Sequence, residues 1–175
     1  PELVVSSTSI SAALDSWAAQ DERPHPITLA GANPVLTIPA AMLGNATFRA
    51  NILDAITNPS WHLAITGRLS AATAASVAAD NGPTLAHLDG GLTVGATASE
   101  IRETLGYLTL LAHRGLLGAI DMLDGGSREF VVTAAQASEH AEALARITGA
   151  YRLVTPESTT AVETLGTLKD LAFTG

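Results

Sequence analysis

The 175-residue sequence contains no cysteine, which excludes disulfides, thiolate metal sites and a thiol nucleophile. Lys169 is its only lysine, and 9 basic side chains stand against 17 acidic ones for a formal net charge of −8. The basic stripe that neutralises phosphates is therefore missing, and nucleic acid is a disfavoured partner. Aromatic residues make up only 4% of the chain, which argues against ring-walled pockets and rows of stacking rings. No apolar run reaches the roughly 18 residues that a membrane span needs. The opening PELVV also lacks the basic-then-apolar order of a signal peptide. These absences together lead us to expect a soluble, cytoplasmic protein.

What is present is largely aliphatic. Apolar residues reach 47%, charged residues 15% and the mean hydropathy is +0.28, a composition too apolar to stay disordered. At this length the economical expectation is a single domain over 1–175, with the one seam between repeated units near 113–118.

The most informative feature is a phrase written twice, LDGGLTVGATASEI at 88–101 and LDGGSREFVVTAAQASEH at 123–140. Each holds β-forming residues, then a threonine, then a helical pattern. Thr97 precedes Glu100 by three positions and Thr133 precedes Gln136 by three, the spacing of a capping box that satisfies orphan helix N–H groups. The pattern recurs at 151–171, with Thr155 as cap and Pro156 at the first helical position, and it is echoed in the opening ELVVSSTSISAALDSW.

Asp-Gly and Gly-Gly favour tight turns between antiparallel strands. Asp89–Gly91 and Asp124–Gly126 are accordingly expected to close hairpins, and Asn81-Gly82 to close another. Residues 61–95 then read as a meander, with 70–79 left open between helix and strand because its alanines suit either. PITLAG and PVLTIP read as two short strands, and 40–58 as a helix ending before Pro59. The expected fold is α+β, a mainly antiparallel sheet with helices packed on one side, built from duplicated hairpin–helix units.

In the helix after Thr97, Ile101, Leu105, Leu108 and Ala112 form an inward stripe, which Tyr107, Leu110 and Leu111 widen. That width implies burial on two sides or an uncovered apolar flank, so Tyr107, Leu110 and Leu111 are the candidate binding residues. The last helix is expected to place Val162, Leu165, Leu168 and Ala172 on one face.

Catalytic and metal patterns are absent from the sequence. There is no phosphate-binding loop, no H-E-x-x-H and no G-x-S-x-G. The trio Glu139, His140 and Glu142 reads as a solvated helix face, and Asp124 has a sufficient role in its turn. No catalytic residue, metal ligand or cofactor is assigned, and whether the protein is an enzyme is left open, with non-enzyme favoured. A helix followed by a hairpin at 97–133 is similar to winged-helix regulators, but Glu100 and Glu103 on the would-be recognition segment repel a phosphate backbone.

The order ILDAITNPSWHLAIT, NGPTLAHLDGGLTV and ATASEIRETLGYL resembles the EspG family of actinobacterial type VII secretion chaperones, over about residues 46–148. That resemblance implies a cytosolic, non-enzymatic protein that keeps the apolar helical tips of secreted substrates soluble. The resulting expectation is a protein–protein interaction module, with a protein partner or self-association. The alternatives are a winged-helix-like regulator, an unrecognised enzyme and a self-assembling structural protein.

Overall fold

The computed structural model describes residues 3–12, 16, 26–80, 83–125, 129–154 and 162–164. The chain divides into two compact units, Pro1–Gly67 with Asp80–Gly90 and Arg68–Ala79 with Gly91–Gly175.

In the first unit β1 (Leu3–Val5) leads into α1 (Ser7–Ala12), followed by β2 (Ile27–Leu29), β3 (Val35–Pro39), α2 (Ala40–Leu43), α3 (Ala46–Asn51) and β4 (His62–Thr66). β1 pairs with β2 and β3 with β4, both in parallel, and isolated parallel bridges join Ile27 to Ile56 and Leu63 to Leu88. The second unit contains β5 (Leu69–Ser70), α4 (Ala71–Ala79), β6 (Leu92–Ala96), α5 (Ala98–His113), β7 (Leu117–Met122) and β8 (Glu129–Val131). These are followed by α6 (Ala134–Glu139), α7 (Ala141–Leu144), β9 (Ile147–Thr148), β10 (Tyr151–Val154) and β11 (Val162–Thr164). Its larger sheet has the order β5-β6-β7-β9 and is parallel throughout. β8 pairs in parallel with β10, and β10–β11 is the one antiparallel pair among the described residues.

Both units thus wind in a similar way. The chain returns beside itself after 23 positions at Glu129 and Arg152, 25 at Leu69 and Val94, 27 at Val35 and His62, and 29 at Ile27 and Ile56. Long-range side-chain bonds follow the same step. Asn58 accepts from Leu29 N–H and donates to Leu29 C=O across 29 positions, and Thr148 donates to Ile120 C=O across 28.

The expected antiparallel sheet is therefore corrected to an α/β arrangement of short, mainly parallel strands. Parallel neighbours need a crossover of a dozen or more residues, and helices supply it, α1 between β1 and β2, α2 and α3 between β3 and β4, α4 between β5 and β6, and α5 between β6 and β7. The duplicated LDGG does not close hairpins. β7 and β8 flank the second copy but belong to different sheets, and the Asp124 carboxylate accepts the Ala98 N–H at the start of α5, 26 positions back. Gly90 does take the positive φ of a turn, 87°, yet that turn leads from the Leu63–Leu88 bridge into a strand of another sheet. Asn81, Gly82 and Gly126 lie outside the described residues.

Local signals were read more faithfully than pairing. Both capping boxes form, at Thr97 with Glu100 and at Thr133 with Gln136. Residues 71–79 resolve to helix because Ala71, Ala74, Val77 and Ala78 make a buried face of small side chains that packs beside α5, while the Ser70 hydroxyl accepts Thr73 N–H as a cap. The helix expected over 40–58 breaks in two, since Gly44 ends α2 and the Asn45 side chain caps α3 by accepting Phe48 N–H. Val162–Thr164 is strand where the last helix was expected, and Thr155, Pro156 and 165–175 lie outside the described residues.

Candidate functional site

α5 is the longest helix among the described residues, and its ends are fixed by chemistry written in the sequence. The Thr97 N–H donates to the Glu100 carboxylate at 2.8 Å while the Thr97 hydroxyl accepts Glu100 N–H at 3.3 Å. The Thr97 N–H bond first, and then the Thr97 hydroxyl, which donates to the same carboxylate at 2.9 Å, hold the Glu100 carboxyl below its ordinary value. A carboxyl depressed in the fold stabilises it above the unfolded value, and that contribution is lost as pH falls through the depressed one. We therefore expect the melting-temperature gap between wild type and Glu100→Ala to be widest near neutral pH and to close in acid. A gap that does not change with pH would show that the carboxylate is not what ties this cap.

Ile101, Leu105, Leu108 and Ala112 are buried, as their spacing predicts. The three candidate binding residues are not brought together. Tyr107 is 47% exposed, Leu110 is half-buried and Leu111 is fully buried at 0%. Leu111 therefore belongs to the core, and only Tyr107 with the edge of Leu110 faces solvent. Between the charged Glu103 and these two sits Gly106, exposed, with nothing within 4 Å of where a Cβ would stand. No internal packing requires glycine there, although glycine inside a helix costs about 1 kcal/mol relative to alanine.

A second polar constellation crosses the β5-β6-β7-β9 sheet and was not foreseen from the sequence. Arg68 lies against Gly95 and pairs with Asp121 at 2.7 Å, and Asp121 accepts the Thr148 hydroxyl at 2.6 Å. The signal available in sequence was Asp121, close to Asp124 in the chain; the two carboxylates serve different partners. Leu123, 54% exposed, borders the same glycine. This row ties neighbouring strands together, and its charges neutralise one another, so it offers no free nucleophile or base.

The His140 ring is the third feature. Its Nδ1 lies 3.0 Å from the Thr109 hydroxyl, whose single proton goes to Leu105 C=O at 2.9 Å. Nδ1 is thereby the donor, leaving Nε2 toward Glu139 at 4.0 Å. His113 and Glu142 approach at 3.4 Å, and among the described residues no cluster of three or more potential ligands could hold a metal ion. No protein-family model, curated protein or solved structure matches the chain. No helix among the described residues is long and apolar enough to cross a membrane.

Proposed function

We propose that the chain is a protein-interaction module whose binding surface is the outer face of α5 around Gly106, Tyr107 and Leu110, and that its partner presents an apolar helix. The observation that carries this reading is the open glycine beside a half-exposed tyrosine. A missing side chain at a helix surface lets another backbone come close, and a neighbouring tyrosine supplies contact area at low entropy cost. The narrower reading is a cytosolic chaperone of secreted helical proteins. It rests on the EspG resemblance, now without the antiparallel meander that helped to carry it, and keeps the apolar helix flank as physical support. The winged-helix alternative loses its wing, because β7 and β8 do not pair with each other.

Two substitutions separate binding from folding. Gly106→Ala should raise stability by about 0.5–1 kcal/mol, and Gly106→Gln should leave the fold intact while filling the close-approach site. The test compares proteins retained from a lysate by wild type, Gly106→Gln and Tyr107→Ala, with melting temperatures measured in parallel. The expected result is a helical partner held by wild type and lost by both folded variants. An identical retained set for all three would remove this face from the function.

A further inference from the structure

We propose that the helix laid against the outer face of α5 is α5 of a second copy of this chain, the two running antiparallel about a two-fold axis that passes between Gly106 and Tyr107. The inference rests on the reading of that face as a binding surface and names its partner. A two-fold contact uses the same patch on both molecules, so the patch must carry both halves of the fit. Gly106 has nothing within 4 Å of where a Cβ would stand, and Tyr107, the next residue, is 47% exposed. On this axis each tyrosine meets the glycine of the other copy, a ring filling the space that a missing side chain leaves.

In two antiparallel helices the positions before the crossing face those after it, so the same axis sets the exposed Glu103 against the half-buried Leu110 of the other copy. Charge selects this direction. The first turns of α5 carry Glu100, Arg102 and Glu103, all exposed, and the helix closes on the C-cap Arg114. Arg114 donates to Ala78 C=O at 3.2 Å and keeps its positive charge while doing so. His113 faces Glu142 of its own chain at 3.4 Å and adds little. Antiparallel packing sets the mainly acidic end of each helix beside the basic end of the other and opposes the two helix dipoles, whereas parallel packing sets like ends together.

All of these residues lie in the second unit, so the contact needs no particular placement of the first. A single pair of helices falls short of the ~1,000 Å² that a stable interface clears. Association is therefore weak and concentration dependent, and because an isologous contact closes on itself it stops at two copies.

Light scattering after size exclusion, over a dilution series of the 175-residue chain, tests this. The mass should climb with concentration and level off at about twice the monomer, while Gly106→Gln and Tyr107→Ala melt cooperatively and stay monomeric throughout. Thiol cross-linking reads the direction, since the chain has no cysteine. Glu103→Cys mixed with Leu110→Cys should oxidise to a mixed dimer. Glu103→Cys alone should stay free, because its two copies lie about 10 Å apart along the helix pair, beyond the reach of a disulfide. A monomer mass at every concentration overturns the proposal, and so does a dimer that persists in both folded variants. Cross-linking of Glu103→Cys to itself but not to Leu110→Cys overturns the antiparallel arrangement. A monomeric chain that retains a different helical protein, lost in both variants, overturns this choice of partner and leaves the α5 surface in place.

Discussion

Replacing Arg49 with methionine is expected to destabilise the protein by about 3 kcal/mol, at the lower end of the cost of breaking a buried ion pair. Arg49 is 7% exposed, pairs with Asp80 at 2.9 Å and donates to Leu43 C=O. The substitution keeps the aliphatic length of the side chain but leaves a carboxylate and a carbonyl short of a donor. The lower end is appropriate because the Asp80 side chain is 35% exposed, so water meets part of its need. Asp80→Asn should cost clearly less, since arginine keeps its bond to Leu43. Urea unfolding of the three proteins checks this, and a loss for Arg49→Met below about 1 kcal/mol would put the pair among ordinary surface bridges.

The other large effect lies at a glycine whose role is hidden by its neighbour. A Cβ on Gly91 would stand 2.4 Å from Gly118 Cα and 2.5 Å from Gly118 N, contacts with backbone that no side-chain rotation can relieve. Gly118 is the extra residue where the β6–β7 register shifts, Leu92 facing Leu117 while Thr93 faces Ala119. Gly91→Ala is therefore expected to cost about 3 kcal/mol or more, whereas the same change at Gly106 stabilises. Thermal unfolding of both variants side by side gives opposite signs if this account holds. A neutral Gly91→Ala would mean that the two strands do not approach so closely.

These two cases show what the sequence made legible and what it hid. The caps at Thr97 and Thr133 could be read because a capping box is a contact between residues three apart, and the buried stripe of α5 because helical periodicity is equally local. Strand, cap and helix do follow in that order in both phrases, β6 into α5 and β8 into α6, but the duplicated hairpins expected to feed the helices do not form. What the phrases did not reveal was the partner of each strand. Gly90-Gly91 looks like one turn signal, yet Gly90 supplies a positive φ of 87° while Gly91 supplies clearance for another strand.

Long-range pairing misled for a related reason. LDGG has the chemistry of a hairpin turn, but a turn between strands of two different sheets asks for the same backbone conformations, so composition does not separate them. β6 and β8 begin the two similar phrases and nonetheless lie in different sheets. Leu111 was read as flank and is core because the helix is covered on more than one side, by α4 and α7. Arg49 gave no signal at all, since its partner lies 31 positions away.

The central claim is that the chain returns in parallel beside itself after roughly 25 residues, and engineered disulfides test it most directly because the natural chain has no cysteine to compete. Thr37 and Ala64 are paired Cα neighbours in the first unit, Thr93 and Ala119 in the second. Adjacent strands lie about 4.8 Å apart, within the Cα separation that a disulfide spans. Thr37→Cys with Ala64→Cys, and separately Thr93→Cys with Ala119→Cys, should each oxidise to an intramolecular bridge with the circular dichroism spectrum unchanged. If both folded variants retain free thiols under the same oxidant, the parallel winding described here is wrong.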